Sequence, residues 1–584
     1  MLPDQDAPTE TRDFIEHIDD WIEYLTELLT LTDEVGTIRK YERQIKYLLK
    51  FRMGLNANIQ HNKLLLHYYS HMAKPGGEDI RLKSEVIKDS DTSYRKPKIS
   101  AEAQRKVKDV VAQATEFISD MNMSIKPKRP IQDSYKADDP AFLLIKKALA
   151  SDDLFFLQGP PGTGKTTAIV EIVLQTLAQK PHARILISSE THVAVDNALD
   201  RLSKISGSRV RAKIMRYPRY TITEFETELT KETDAEVQNM RTWERADEFA
   251  PELSSILEAN LDQGQVKDGV QKIPRWQFIN AADNKQIIGV TCNQIDHLID
   301  EESQMFDLVI VDECSKATMP EWIMAMSMGY KCILVGDHNQ LPPTFCEEES
   351  EALKTLTKQK EKLIRNGVIE RIFQNLPHDR KGTLEKQYRM LPHIGQFISE
   401  HFYEGKLQHH RESTDHNFNQ FGWCTYHPNE SKFPKVQGGV LENSIEAGII
   451  IKCLDEMLRM RSKSRGQNGN GSHRKLSVAV ITPYRAQCRL LRNLIESKSY
   501  DRTLLGIEVD TVDAFQGRQA DVIFFSFVRT WGPATFYADS RRMNVAISRA
   551  RDGVYLVGDK RYIHNSGRKA QLKFLLALSE LPVI

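Results

Sequence analysis

The chain has 584 residues, of which 40% are hydrophobic and 27% are charged. This length and balance exclude a disordered or collagen-like chain and predict roughly three to five domains. Lys and Arg number 80, and Asp and Glu also number 80. The resulting net charge of zero disfavours a globally basic nucleic-acid binder but leaves local basic surfaces open. The seven cysteines form no C-x-x-C pair, which indicates reduced thiols and an intracellular location, cytoplasmic or nuclear.

The first 125 residues predict a helical N-terminal or stalk module. Apolar side chains recur at helical spacing over 14–28, 38–48 and 107–121. The first 30 residues hold nine acidic residues and one base, Arg12, which is unlike a signal peptide. No apolar run approaches the roughly 18 residues of a membrane span. By pattern alone the module is a packing element or a docking site for a protein partner.

From about residue 140, short apolar runs alternate with helical stretches, which predicts α/β domains with parallel sheets. We expect a first domain over 140–375, interrupted by a largely helical, charged insertion at about 203–283, and a second domain over 380–584. The polar stretch 461–472 predicts a loop. The apolar runs lie at 154–157, 185–187, 308–311, 332–335, 478–481, 522–527 and 554–557.

A phosphate-binding loop is the first motif with a chemical meaning. It fits G-x-x-x-x-G-K-[ST], follows an apolar strand and precedes a helical run at 168–177. The glycines let backbone N–H groups surround phosphate oxygens, Lys165 neutralises the β and γ phosphates, and the Thr166 hydroxyl binds magnesium. The motif consists of Gly159, Pro160, Pro161, Gly162, Thr163, Gly164, Lys165 and Thr166, and Thr167 extends the ATP-binding set.

Two carboxylates at the end of a later apolar strand complete a hydrolytic site. Asp312 is placed to hold magnesium, and Glu313 can orient and deprotonate the attacking water. An Asp-Glu pair alone is a weak signal, but after a phosphate-binding loop it predicts hydrolysis of a nucleoside triphosphate. The pair does not indicate what that hydrolysis drives.

Further motifs give the chain a family resemblance. They read GDHNQLPP at 336–343, QYRM at 387–390, ITPY at 481–484, DAFQGR at 513–518 and RRMNVAISRAR at 541–551. SETHVAVDN at 189–197 and GVT at 289–291 precede them. From about residue 140 to about residue 560, the motifs and their order closely resemble the Upf-like DNA/RNA helicases of superfamily 1, branch 1B.

The resemblance implies two tandem RecA-like domains with ATP bound in the cleft between them. It implies that Gln340 senses the γ-phosphate and that Arg389 and Arg549 are arginine fingers from the second domain. Planar guanidinium groups suit the charge that spreads over the γ-phosphate oxygens in the transition state. Tyr388 is implied to stack on the ATP base, and Gly517 to line the same site.

The resemblance also places five residues near a bound single strand of DNA or RNA: Thr191, His192, Thr291, Pro343 and Thr482. Contacts of this kind read backbone and stacked bases, so little sequence preference is expected. Seven lysine and arginine residues lie within 201–219, with no acidic residue between them. They form a candidate basic track for nucleic acid, and a solvated surface of the insertion explains them equally well.

Three departures from the family pattern stand out. Ala141 occupies the position at which family members carry a glutamine that reads adenine, so the choice among nucleoside triphosphates is open. Gln519 replaces a common glutamate, which alters a contact to ribose or to an arginine. Only 73–99 separates two helical patterns of the N-terminal module, which is too short for the β-barrel that many relatives insert there.

We therefore expect a magnesium-dependent and ATP-dependent helicase or translocase that moves along single-stranded nucleic acid, from 5′ to 3′ as the branch implies. One alternative is an ATPase switch that docks a protein partner through its N-terminal module and remodels or clamps nucleoprotein without processive unwinding. A degraded motor used only for binding is disfavoured, because every predicted catalytic residue is present.

Overall fold

The computed structural model describes residues 9–32, 35–53, 124–211, 213–216, 285–297, 305–366, 369–414, 416–426, 435–437, 440–467, 474–498, 500–515 and 517–584. The chain divides into two compact units. The first comprises Met1–Gln158, Lys165–His338 and Pro342–Thr383, and the second comprises Gly159–Gly164, Asn339–Leu341 and Leu384–Ile584.

The first unit is built on a seven-stranded sheet in which every neighbouring pair is parallel. Its strand order is β3-β4-β2-β5-β6-β1-β7. Almost every residue of the central strands is buried, as expected where helices cover both faces of a parallel sheet. The strands are β1 (Leu154–Gln158), β2 (Ile185–Ser189), β3 (Ile214–Arg216), β4 (Ile287–Thr291), β5 (Phe306–Asp312), β6 (Gly329–Gly336) and β7 (Lys381–Thr383).

Nine α-helices belong to the described part of this unit. The third of them begins with Asp139 as its N-cap, whose carboxylate accepts the Ala141 N–H at 2.9 Å, and with Pro140 in its first turn. The helices are α1 (Thr9–Leu31), α2 (Val35–Met53), α3 (Pro140–Ala150), α4 (Lys165–Gln179), α5 (His192–Arg211), α6 (Met319–Met326), α7 (Glu347–Thr355), α8 (Lys358–Asn366) and α9 (Ile369–Asn375).

Helices α1 and α2 share one hydrophobic core with the first sheet. Trp21 and Tyr24 of α1 are buried in the same cluster as Trp322 of α6. The Trp21 and Tyr24 rings each lie 6.3 Å from the ring of Phe345, which follows the GDHNQLPP motif. Lys360 of α8 forms ion pairs with the acidic face of α1, including one of 3.0 Å to Asp20. The acidic residues of the first helix therefore make structural contacts within this unit.

The second unit contains a five-stranded parallel sheet in the order β10-β16-β15-β13-β14, with two small two-stranded sheets beside it. The pairs β8–β9 and β11–β12 form the small sheets, the second of which is antiparallel. The strands are β8 (Lys386–Gln387), β9 (Gln408–His409), β10 (Phe421–Thr425), β11 (Lys435–Gln437), β12 (Val440–Glu442), β13 (Leu476–Thr482), β14 (Leu505–Thr511), β15 (Ala520–Ser526) and β16 (Ala550–Gly558).

The helices of this unit cover both faces of its sheet, because separate hydrophobic clusters lie on each side. Trp423 of β10 is fully buried and stacks on Phe527 with a centroid distance of 5.0 Å. The helices are α10 (Pro392–Phe402), α11 (Ser444–Gln467), α12 (Arg485–Lys498), α13 (Thr535–Ala538), α14 (Ser540–Ser548), α15 (Lys560–Ala570) and α16 (Lys573–Glu580).

The predicted fold class is confirmed: the chain has two α/β units with parallel sheets, and each of the seven apolar runs lies largely in a strand. The limits 1–125, 140–375 and 380–584 stay predictions, and most of the predicted insertion and of the N-terminal module lies outside the described residues. The predicted loop at 461–472 is wrong over its first half, because α11 continues to Gln467. Within the described ranges, no helix combines the length and apolar character needed to cross a membrane.

Candidate nucleotide-binding site

The phosphate-binding loop connects β1 to the N-terminus of α4. Gly162 and Gly164 have φ angles of +75° and +84°, in the left-handed region that glycine adopts at low cost. The Thr163 hydroxyl donates to the Pro160 carbonyl at 2.7 Å and closes the loop. Lys165 is the first residue of α4, so the positive end of the helix dipole faces any anion held by the loop.

Gly162 has a second reason to be glycine. Its carbonyl accepts the Tyr388 N–H at 2.9 Å, and a Cβ built on Gly162 would lie 2.6 Å from the Cβ of Arg389. The loop therefore contacts the QYRM segment directly, and any larger residue at position 162 would displace it.

The predicted carboxylates lie at the carboxyl end of β5. Asp312 is 4% exposed and accepts the backbone N–H of Glu313 at 2.9 Å. Glu313 has a φ of +51°, a strained conformation for a residue with a side chain, which turns its carboxylate toward Lys165. The Lys165 Nζ lies 3.2 Å from the Glu313 Oε1. The structure thus brings together three of the residues that the sequence assigns to hydrolysis.

Burial and the neighbouring Glu313 carboxylate raise the pKa of Asp312 to about 7. The site holds two carboxylates and one lysine, and a divalent cation would favour the charged form of Asp312. Carboxylate and hydroxyl oxygens are the ligands that magnesium prefers, so Asp312 and Thr166 fit that ion.

In the second unit, the two predicted arginine fingers are neighbours. Arg549, at the end of α14, is 3% exposed, and it donates to the Gln340 Oε1 at 2.7 Å and to the Val545 carbonyl at 3.2 Å. Arg389 donates through Nη1 to the carbonyl of Ser548 at 3.0 Å. The predicted sensor glutamine is therefore hydrogen-bonded to Arg549, and Arg389 is hydrogen-bonded to the residue that precedes Arg549.

Gln519 contacts Arg389. Its Oε1 accepts the Nε of Arg389 at 3.1 Å, so the residue that replaces the family glutamate still contacts an arginine. Asn544 belongs to the RRMNVAISRAR motif at 541–551. Its Nδ2 donates to the Asn339 carbonyl at 2.7 Å and to the Tyr403 hydroxyl at 2.8 Å, and it thereby fixes the residue next to Gln340.

Tyr388 and Gly517 are the remaining residues that are predicted to contact ATP. Tyr388 is 41% exposed, with its ring centroid 5.0 Å from that of His410. Gly517 has a φ of +83°. Ala141 lies in the first turn of α3, and its methyl group has no hydrogen-bonding atom with which to read a base.

The five residues that are predicted to contact a nucleic-acid strand differ in solvent exposure. Thr291, Pro343 and Thr482 are buried, whereas Thr191 and His192 are partly exposed. Thr291 donates its hydroxyl to Gln294 at 2.9 Å. Their roles stay predictions.

The candidate basic track is wrong at Arg216. This side chain is fully buried, donates through Nε to Asp196 at 2.7 Å and through Nη2 to the Nδ1 of His192 at 2.8 Å. Asp196 precedes the basic residues at 201–219, so the sequence of that stretch does not indicate the ion pair. Lys204 and Lys213 are exposed, while the side chains at 206–212 and all of 217–284 lie outside the described residues.

Two protein-family models match the chain, both described as an AAA domain. One matches residues 137–273 and 257–348, and the other matches residues 364–561. Together they cover the phosphate-binding loop, both carboxylates and the arginine group.

The chain is similar in sequence to three helicase-related or nucleic-acid-related proteins of other organisms. An uncharacterized ATP-dependent helicase of Methanocaldococcus jannaschii is 27% identical over 74% of this chain and 70% of its own length. The DNA-binding protein SMUBP-2 of Mesocricetus auratus is 29% identical over 72% of this chain and 42% of its own length. Regulator of nonsense transcripts 1 of Caenorhabditis elegans is 28% identical over 71% of this chain and 37% of its own length. The chain therefore matches most of the archaeal relative and about two fifths of the animal ones.

Proposed function

This chain belongs to the Upf-like branch of the superfamily 1 ATP-dependent helicases, and we propose that it hydrolyses ATP in order to move along single-stranded nucleic acid and unwind duplexes. The observation that carries the proposal is the contact of 3.2 Å between Lys165 and Glu313, beside the buried Asp312 at the end of β5. A lysine, the proposed general base and the proposed magnesium ligand lie together there.

The chemistry assigned to these residues is an in-line displacement. Loop N–H groups and Lys165 bind the phosphates, and Glu313 takes a proton from water as its oxygen attacks the γ-phosphorus. The bond to the β–γ bridging oxygen breaks, and the leaving oxygen departs with ADP. Arg389 and Arg549 stabilise the charge that develops on the γ-phosphate. Magnesium, held by Asp312 and Thr166, would neutralise phosphate charge.

The first experiment measures ATP hydrolysis by the full chain with and without a 20-nucleotide oligothymidylate or oligouridylate. We expect either strand to stimulate hydrolysis, and Lys165→Ala to lower kcat at least about 10²-fold. Comparing the two oligonucleotides also distinguishes DNA from RNA preference, which rests on contacts to the 2′-hydroxyl. A wild-type rate that neither strand changes would contradict the proposal.

The second experiment tests motion. Duplexes with a single-stranded tail at either the 5′ or the 3′ end are incubated with protein, ATP and magnesium. Unwinding from the 5′ tail alone is expected, and unwinding from the 3′ tail alone would reverse the proposed polarity. Strand-stimulated hydrolysis without unwinding of either substrate would favour the alternative, a switch that clamps nucleoprotein.

Nucleotide selectivity needs its own measurement, because Ala141 removes the family glutamine. Ratios of kcat/KM for ATP and GTP near one are expected if no other polar group reads the base. The variant Ala141→Gln should then raise the ratio in favour of ATP, and an unchanged ratio would place base selection elsewhere.

A further inference from the structure

The loop that follows β15 carries an exposed tryptophan. Trp531 is 40% exposed, whereas Trp322 and Trp423 are at most 1% exposed. Exposed aromatic rings are typical of binding sites. The segment 527–538 contains no acidic residue. We refer to residues 527–532 as the Trp531 loop.

The first half of this loop is held in a strained conformation. Val528 has a φ of +69°, which is rare for a β-branched residue. Its N–H donates to the carboxylate of the fully buried Glu446 at 2.8 Å, and its carbonyl accepts the Asn443 Nδ2 at 2.9 Å. Strain of this kind persists where surrounding contacts over-determine it, and it clusters at functional sites.

The two ends of the loop are also fixed. The carbonyl of Phe527 accepts a hydrogen bond from the Tyr537 hydroxyl, and the carbonyl of Gly532 accepts one from the Tyr562 hydroxyl at 3.2 Å. The backbone that carries Trp531 is therefore anchored on both sides. A backbone that is already ordered loses little conformational entropy when a ligand binds to the loop.

A cation lies two residues before the tryptophan. Arg529 donates through Nε to the hydroxyl of Tyr484 at 2.7 Å, and its guanidinium group lies 5.7 Å from the centre of that ring. A Cβ at Gly532 would lie 3.1 Å from the Arg529 Nη1, so the loop folds back over the guanidinium group. Tyr484 orients Arg529 without cancelling its charge.

The Trp531 loop and Tyr484 meet at one edge of the sheet. Strands β13 and β15 are parallel neighbours, and their carboxyl ends lead to Tyr484 and to the Trp531 loop respectively. Thr482, which the family resemblance assigns to the bound strand, ends β13. Its hydroxyl is buried with no hydrogen-bond partner among the described residues. This edge thus combines a cation, an exposed aromatic ring and an unsatisfied hydroxyl.

We propose that Trp531 stacks on one base of the bound single strand and that Arg529 contacts an adjacent phosphate. The inference rests on the proposed function and adds to it a contact point in the second unit. Single strands are bound by basic surfaces with aromatic rings on which bases stack, and such stacking tolerates any sequence. A cation beside an indole, with no acidic residue in the loop, matches that chemistry better than it matches an acidic or apolar protein surface.

The test measures binding of a fluorescein-labelled 20-nucleotide oligothymidylate by fluorescence anisotropy at several salt concentrations. Trp531→Ala should weaken binding about tenfold, and Trp531→Phe should keep most of the affinity because a ring remains. Arg529→Gln should lower the slope of log affinity against log salt by about 0.7, the loss of one phosphate contact, while Trp531→Ala should leave the slope unchanged.

Val583→Ala is the matched control, because it truncates a side chain in the same unit that is 60% exposed. It should bind the oligonucleotide like the wild type. If the wild type binds and Trp531→Ala binds equally well, the stacking proposal is overturned while the proposed function stands. If the wild type binds no strand, both are overturned.

Discussion

The two α/β units handle charge in different ways. In the first, two carboxylates at the end of β5 face one lysine, and burial raises the pKa of Asp312 to about 7. In the second, Arg389 and Arg549 donate to carbonyl and amide oxygens, which orient their guanidinium groups. The difference agrees with the function proposed above, in which the first unit supplies the metal-binding and basic groups and the second supplies positive charge.

The largest effect on activity is expected from Arg549→Ala, which tests the role assigned to the second unit. If fixed positive charge in the second unit stabilises the transition state, kcat should fall about 10³–10⁵-fold. Arg549→Lys keeps a charge but lacks the planar fork, so it should recover only part of the rate. The measurement is steady-state ATP hydrolysis with saturating oligothymidylate. A loss of less than tenfold, in a protein that still unfolds at the wild-type temperature, would contradict the assigned role.

The second largest effect is expected when Glu313, the proposed general base of the first unit, is replaced. Glu313→Gln keeps the size of the side chain and deletes its basicity, so kcat should fall about 10²–10⁴-fold while the KM for ATP changes little. Single-turnover hydrolysis separates the chemical step from product release. An equal loss of ATP binding would show that Glu313 holds the nucleotide rather than the water.

The first unit also contains a buried lysine, whose charge depends on pH, unlike that of the arginines in the second unit. Lys331 of β6 donates to the carbonyls of Leu149 and Ser151 at 2.7 and 2.6 Å, and burial lowers its pKa from 10.5 to about 7. The unfolded chain binds a proton over this range that the folded chain releases, so rising pH favours folding. Lys331 therefore contributes stability above pH 10.5 that is lost as the pH falls toward 7.

Chemical denaturation of the wild type and of Lys331→Met checks this expectation. The ratio of their unfolding constants should change in favour of the wild type by up to tenfold for each pH unit between about 7 and 10. A difference that is independent of pH would show that Lys331 stays protonated, as an arginine in the same position would.

The smallest expected effect concerns a contact within the first unit. Tyr24 of α1 donates its hydroxyl to the Glu349 carbonyl at 3.0 Å. Tyr24→Phe should lower the free energy of unfolding by about 1 kcal/mol, the usual net value of one hydrogen bond. Tyr500→Phe, which removes a hydroxyl contact of 2.7 Å to Asp455, is the counterpart in the second unit. An unchanged free energy of unfolding for Tyr24→Phe would show that Tyr24 of α1 does not make this contact in solution.

Local patterns were sufficient to predict much of the first unit. The apolar runs lie in β1, β2, β5 and β6, because fully buried parallel strands are recognisable as continuous apolar stretches. Short or mixed strands such as β7 and β14 were missed, since their residues are partly exposed and lack that signature.

Contacts between distant residues were beyond the sequence. Nothing near position 216 indicates that Arg216 meets Asp196, because the fold brings α5 and β3 together. The polar residues after 460 looked like a loop, but α11 continues through them, since an exposed helix needs no apolar stripe in its last turns. The sequence likewise could not show that Arg389 donates to the carbonyl of Ser548, the residue before Arg549.

The shared core of α1, α2 and the first sheet has a consequence for handling the protein. A fragment that begins after residue 123 would expose apolar surface on α6, including Trp322, which α1 and α2 now help to bury. Such a fragment is expected to aggregate, so its loss of activity would not measure the role of the N-terminal helices. Point substitutions on exposed positions of α1, such as Glu27 or Leu31, leave that core intact and are the sounder route to any docking role.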